Sequence, residues 1–139
     1  MFTLDERLAN DTVMLGDFEL SQLLLMNDKR YPWCILVPKR KDINEIYQLS
    51  EAEQNQLNHE SVLLGRTLMA LFKGDSLNVA ALGNVVSQLH VHHVVRFHGD
   101  SCWPGPVWGV GQAISYSESE LDELQQKITT PLLGKLGFQ

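Results

Sequence analysis

Apolar and polar positions alternate, cluster and recur along this chain in a way that marks out its elements one by one. Leu4 and Leu8 suit a short helix over residues 3–9, ended by Asn10-Asp11. Val13 to Phe18 and Leu20 to Met26 are two apolar runs with Gly16-Asp17 between them, which predicts a hairpin or one bent strand pair. Asn27 to Pro32 is a polar turn, and Trp33-Cys34-Ile35-Leu36-Val37 is a strand stopped by Pro38. Ser50-Glu51-Ala52-Glu53 has the form of a capping box. The helix it opens carries Leu57, Leu64, Leu68, Leu71 and Phe72 at helical spacing and ends near Lys73, before Gly74-Asp75. Leu77 to Leu82 reads as a strand, Gly83-Asn84 breaks it, and a further strand is expected from about Val85 to Phe97. Gly99-Asp100-Ser101 is a turn. The segment from Trp103 to Gly109 holds two prolines and two glycines, which excludes regular structure. Ser117-Glu118-Ser119-Glu120 is a second capping box, opening a helix with Leu121, Leu124 and Ile128 that is interrupted near Pro131.

Strands joined by short turns, a long helix, two more strands and a last helix suggest an antiparallel sheet with helices on one face, an α+β layout. With 139 residues the chain has the size of a single domain spanning 1–139. A net charge of −6 argues against a nucleic-acid polymer as partner, since such proteins present basic surfaces, but leaves room for a small anion at a local site. The longest apolar runs are too short to span a membrane, and the first residues lack the pattern of a signal peptide. Cys34 and Cys102 form no spaced pattern, which suits a cytoplasmic protein with reduced thiols.

Chemistry concentrates in Gln88-Leu89-His90-Val91-His92-His93-Val94-Val95-Arg96, which holds three of the five histidines. In a strand, Gln88, His90 and His92 would share one face, and Leu89, Val91, His93 and Val95 the other. This stretch resembles the histidine-triad (HIT) motif, in which histidines alternate with apolar residues. The register that suits Arg96 puts Gln88 at the first histidine, His90 at the second and His92 at the third. Starting the motif at His90 would leave Val94 as the third histidine. The resemblance extends further. Gly83 to Gln88 is similar to the glycine-glutamine-serine/threonine-valine-x-histidine lead-in, with Asn84 at a phosphate-contacting glutamine and Val85 departing from the hydroxyl residue. Asn78 lies close to an asparagine at the substrate phosphates, and Asp28 near an aspartate that contacts the ribose. Ile35 to Lys41 looks like a segment ending in proline-lysine-x-histidine, with Lys41 in place of that histidine. Trp103 to Trp108 resembles a bacterial branch that also carries Gln at the first triad position.

The resemblance implies a HIT-like fold: a five-stranded antiparallel sheet with one long helix on it, followed here by a C-terminal helix, often paired as a homodimer. It implies a hydrolase or transferase acting at the α-phosphate of a purine nucleotide conjugate such as a dinucleoside polyphosphate, phosphoramidate or adenylylated acid. His90 would be the nucleophile, forming a nucleotidyl-histidine; a neutral imidazole is a good nucleophile near neutral pH. His92 would donate to a phosphate oxygen, Gln88 would meet the leaving group by hydrogen bonding only, and Asn84, Gly83, Asn78 and Asp28 would bind substrate. No metal or other cofactor is needed.

Plainer readings stand beside these. His90 and His92 could be surface histidines on a polar sheet face, or the protein could be a nucleotide-binding module without fast turnover. His-x-His also suits a metal pair, with His98 or Asp100 as a third ligand. His93 faces away and suits a core or dimer edge. His59 and His98 suit the surface, and Cys34 suits the core. Lys39-Arg40-Lys41 is expected to be a solvated turn. Trp103 and Trp108 could pin their loop, wall a pocket or reach across a dimer.

Overall fold

A computed structural model describes residues 1–139. A short helix α1 (Glu6–Asp11) leads into strands β1 (Thr12–Asp17), β2 (Ser21–Met26) and β3 (Trp33–Pro38). The long helix α2 (Glu51–Phe72), strands β4 (Ser76–Ala81) and β5 (Val91–Arg96), and helix α3 (Glu118–Thr129) follow. The five strands form one sheet in the order β1-β2-β3-β5-β4, and every neighbouring pair is antiparallel. This is the α+β, HIT-like arrangement expected from the sequence.

Both capping boxes form. Ser50 Oγ accepts from the Glu53 N–H at 3.1 Å, and Glu53 Oε1 accepts from the Ser50 N–H at 2.9 Å. Ser117 and Glu120 repeat the exchange at the start of α3. The end of α2 differs in detail from a glycine cap: the left-handed residue is Lys73, not Gly74. Gly74 serves a different need. A Cβ there would lie 2.3 Å from Val95 Cγ1, so the backbone can cross β5 closely only without a side chain.

Two apolar layers enclose the sheet. On one side Leu23, Leu25, Leu36, Val91 and Val95 pack with Leu57, Leu64 and Leu68 of α2 and Ile128 of α3. On the other, Leu24, Trp33, Ile35, Val37 and Val94 pack with Tyr31, Val107 and Leu8. Leu8 belongs to α1, so the helices do not all lie on one face as expected: α1 covers the side opposite α2. That helix starts at Glu6, with Asp5 capping it by accepting from the Arg7 N–H at 2.8 Å, and runs to Asp11 instead of ending at residue 9, where Thr12 Oγ1 donates to the Leu8 carbonyl at 2.6 Å.

The larger correction concerns β5. The β-branched run from Val85 was expected to be strand throughout, but β5 pairs only from Val91, opposite Ala81 of β4. Residues 82–90 form the connection instead. Val85 is exposed and Val86 packs against the second apolar layer, so these valines serve a loop and not a ladder. Gln88 therefore does not lie on the strand, and its place is set by loop contacts.

A buried carboxylate holds the β1–β2 turn to α2. Glu60 Oε2 accepts from the Leu20 N–H at 2.8 Å, and Oε1 from the Ser21 N–H at 3.1 Å, in a site without solvent exposure. Glu60→Ala should strand both donors, at about 1–3 kcal/mol each, and lower the urea midpoint accordingly. Glu60→Gln, which keeps one acceptor, should lose roughly half as much.

Candidate active site

Strand β5 runs between β3 and β4, and all six of its residues are buried. His90, just before it, and His92 are each 5% exposed, with ring centroids 5.0 Å apart. Their hydrogen bonds give them opposite tautomers. His90 Nδ1 lies 2.7 Å from the Gln88 carbonyl, which can only accept. In the neutral ring the proton therefore sits on Nδ1, and Nε2 carries a bare lone pair. His92 Nδ1 lies 3.0 Å from Trp33 Nε1, which can only donate. His92 therefore carries its proton on Nε2. Burial, then the nearby His90 and His93, pushes the His92 pKa down to about 3, so its ring is neutral at pH 7. A lone pair and an N–H donor stand side by side on one face.

The pair lies between two cavities. The larger, about 410 Å³, opens on His92 and is walled by Trp33, Trp108, Met26 and the Val110-Gly111 backbone. Trp108 meets His92 edge to face at 5.3 Å and Trp33 at 6.3 Å. The smaller, about 150 Å³, opens on His90 and is lined by Asn44, Glu45, Gly83, Asn84 and Gln88. None of the backbone N–H groups of residues 83–88 donates within the chain, and three of these residues, Gly83, Asn84 and Gln88, line this cavity.

Asp28 lines the larger cavity, almost fully buried. Its carboxylate takes Arg30 Nε at 3.0 Å and Nη2 at 2.8 Å, with the N–H groups of Arg30 and Ile114. Burial opposes its charge, but the guanidinium and these N–H groups outweigh burial and hold the pKa below its ordinary value. Arg30 Nη1 also donates to the Val110 carbonyl at 2.9 Å, so the ion pair ties the cavity wall to β2–β3.

The structure distributes the expected site residues unevenly. His90, Gln88, Asn84 and Gly83 meet at the smaller cavity; His92 and Asp28 meet at the larger. Asn78 lines neither: its Oδ1 accepts from Arg96 Nη1 at 2.8 Å. Both ends of the Gln88 amide are engaged, Oε1 by the Asp5 N–H at 2.8 Å and Nε2 by the Thr3 carbonyl at 2.9 Å. His93 is fully buried on the α2 side, donating from Nδ1 to the Val91 carbonyl and accepting at Nε2 from Ser61, which makes it a core residue and not a dimer edge. His59 and His98 are exposed, and Lys41 is exposed in its turn. Lys39 donates to the Phe18 carbonyl and Arg40 pairs with Glu53, so the basic turn is partly neutralised. Asp100, weighed as a metal ligand, accepts from Arg96 and from three backbone N–H groups. No three side chains of metal-ligating type converge. Burial pushes the Cys34 thiol up to about 12, in keeping with a core role. Trp108 walls the larger cavity, whereas Trp103 packs against Arg96 and His98.

Trp33 went unrecognised as a site residue, although a signal existed: an indole N–H in a buried strand needs an acceptor. Asn44 and Glu45 lie in a segment with no periodic pattern, and nothing in the sequence places them beside His90.

Comparison with known proteins agrees with this fold. The HIT domain family model matches residues 7–99. A histidine triad protein of Marinobacter aquaeolei is similar at 51% identity and a TM-score of 0.95, with 98% of each chain covered. One of Sinorhizobium meliloti is similar at 45% identity and a TM-score of 0.92, covering 94% of this chain and 96% of the other. A Plasmodium falciparum diadenosine triphosphate hydrolase shares the fold at 16% identity and a TM-score of 0.67, covering 98% and 83%. No curated protein matches the sequence significantly.

The buried histidines make stability depend on pH. Burial holds His92 near 3 and His93 near 4, both below the unfolded value of 6.5. The unfolded chain therefore takes up protons first as pH falls. Stability should be full above about pH 7 and fall from pH 6.5 toward 4, each histidine contributing a slope of up to about 1.4 kcal/mol per pH unit. Urea unfolding across this range should show the slope, and His92→Gln should reduce it by about one proton.

Proposed function

This chain belongs to the HIT family, and on that footing we propose that it is a nucleotide hydrolase or transferase working through a covalent nucleotidyl-His90. The observation that carries the reading is the pairing of a bare Nε2 on His90 with an Nε2–H on His92. His90 Nε2 attacks the α-phosphorus of a nucleotide conjugate. The new P–N bond forms as the bond to the leaving group breaks, and the leaving group departs with that electron pair. The ring becomes cationic, and the Gln88 carbonyl at Nδ1–H steadies that charge. His92 donates to a non-bridging oxygen, and the free N–H groups of residues 83–88, with the Asn84 amide, receive the others. Water then hydrolyses the P–N bond and returns His90.

In this reading the base enters the larger cavity, stacking near Trp108, with the ribose toward Asp28. The leaving group occupies the smaller cavity. Gln88 has no proton to give, so the activity favours leaving groups that depart without one. A dinucleoside polyphosphate, a phosphoramidate and an adenylylated acid all fit the same face. No helix is long and apolar enough to cross a membrane, and two free thiols suit a cytoplasmic setting.

A homodimer belongs to the same proposal. The chain end covers the β1 edge, with Asp17 and Gln139 exchanging backbone hydrogen bonds at 3.1 and 3.0 Å. The β4 edge is left open, with Val79 half exposed on it and Val62 half exposed on α2. The second reading is a nucleotide-binding module with little turnover, favoured by the engaged amide of Gln88.

Intact mass after brief mixing with an adenylylated substrate, with chelator present, separates these readings. The expected result is an added adenylyl group that disappears in His90→Ala. AMP binding without any adduct would select the binding module. An adduct that survives His90→Ala but not His92→Ala would shift the nucleophile. An aryl ester of AMP should turn over about 100-fold or more faster than adenosine phosphoramidate, since a general acid typically contributes that much; equal rates would count against the role given to Gln88.

A further inference from the structure

The side chain of Gln88 is bound at both ends, and its partners are not on the sheet. Residues 1–5 run along the triad side of the protein ahead of α1. Phe2 and Leu4 are half buried against the apolar layer that contains Trp33, Ile35 and Val94. Between them, Thr3 turns its carbonyl to Gln88 Nε2 at 2.9 Å, and Asp5 turns its N–H to Gln88 Oε1 at 2.8 Å. An amide that accepts from one backbone group and donates to another two residues away mimics a strand partner. The segment is thus docked on Gln88 by two hydrogen bonds and beside it by two apolar side chains.

The same residue holds the nucleophile. The Gln88 carbonyl receives the His90 Nδ1–H at 2.7 Å, and that bond leaves Nε2 bare. The loop ahead of Gln88 is loosely held. Its neighbours from Gly83 to Ser87 are mostly exposed, and no backbone N–H from 83 to 88 is bonded within the chain. The Leu89 N–H lies in the same peptide plane as the Gln88 carbonyl and donates to the Ile43 carbonyl at 2.9 Å, so that carbonyl is held by Ile43 on one side and by the docked Gln88 side chain on the other. Hydrogen bonds therefore tie the first residues of the chain to the Gln88 side chain, and the Gln88 carbonyl to the ring of His90, with only Gln88 itself between them.

We propose that residues 1–5 form a strap that positions His90 through Gln88, which makes Gln88 a positioning residue. While the strap is docked, Oε1 and one N–H of the amide are committed to it, and the side chain helps to aim the Gln88 carbonyl. Loss of the strap lets Gln88 turn, weakens the bond to His90 Nδ1 and admits the other His90 tautomer, whose Nε2 is blocked by a proton. The rate consequence rests on the nucleotidyl-transfer reading above; the tautomer consequence does not.

Three variants of the full protein test this. Gln88→Met keeps the side-chain volume and removes both bonds. Deletion of residues 2–4 removes Phe2, Leu4 and the Thr3 carbonyl but leaves Asp5 to cap α1. The third combines the two. Nitrogen-15 NMR of the ligand-free protein reads the His90 tautomer directly. The wild type should be Nδ1–H, and each variant should show a mixture. Under single turnover with adenylylated substrate, adduct formation should slow about tenfold or more in each, with AMP affinity within about twofold. The combined variant should be no worse than Gln88→Met, because both changes cut one line. An unchanged His90 tautomer in both single variants would overturn the proposal. Rate losses that multiply in the combined variant would also overturn it, since they would mean that Gln88 and the strap act separately. If the wild type forms no adduct, the tautomer result still decides the strap's role, and only the functional reading falls.

Discussion

Burial of β5 on both faces is the condition on which the site depends. A strand between two others, covered by α2 on one side and by the Trp33 layer on the other, has no water for its polar side chains. Each must find a partner inside the fold or cost the desolvation of an unpaired group. His93 finds Ser61 and the Val91 carbonyl, His92 finds Trp33, and Arg96 finds Asp100 and Asn78. A neutral imidazole has one donor and one acceptor, so a partner at one nitrogen dictates the other. Requirements of folding thereby become a chemical specification: His92 must present N–H, and His90, held by a carbonyl, must present a lone pair.

The end of β5 extends the same logic to the cavity wall. Arg96 is buried against Asp100, whose carboxylate also accepts from the N–H groups of Phe97, Cys102 and Trp103. That guanidinium holds the Asp100 pKa down to about 2, so the pair stays charged throughout the neutral range. One buried ion pair thus shapes the turn that sends the chain toward Trp108. The Asp28–Arg30 pair does the matching task from the other side, holding Val110 and Ile114. Both pairs are stapled into backbone, which suits a structural use of charge.

Much of this was readable in advance, for local reasons. Capping boxes at Ser50 and Ser117, the leucine period of α2 and the strand runs all rest on neighbours in sequence. That His90 and His92 would lie side by side followed from their alternation. What escaped reading depends on distant partners. Val85 and Val86 have strand composition, yet β4 stops at Ala81, and an unpaired run cannot be a strand. Glu60 looks like any helix-surface glutamate until the Leu20 and Ser21 N–H groups are placed over it. Trp33 acquires its role only when β3 pairs with β5. Gln88 drew notice only through a resemblance, and its partners lie 83 and 85 residues away.

Under the proposed function, charge is arranged so that anion recognition falls on dipoles. The smaller cavity has no cationic side chain, and the larger has only Arg30, already committed to Asp28. Lys39 and Arg40, outside both cavities, are bound to Phe18 and Glu53. Under the proposed function, the free N–H groups of residues 83–88 and the His92 N–H must therefore carry the phosphoryl oxygens. Directed donors of this kind gain most when charge builds up at fixed positions during transfer, whereas a free cation would hold substrate and product anions alike. A net charge of −6 acts in the same direction by discouraging loose attachment of nucleotides elsewhere on the surface. Discrimination then rests on geometry close to His90, where the position of one carbonyl decides which nitrogen faces phosphorus.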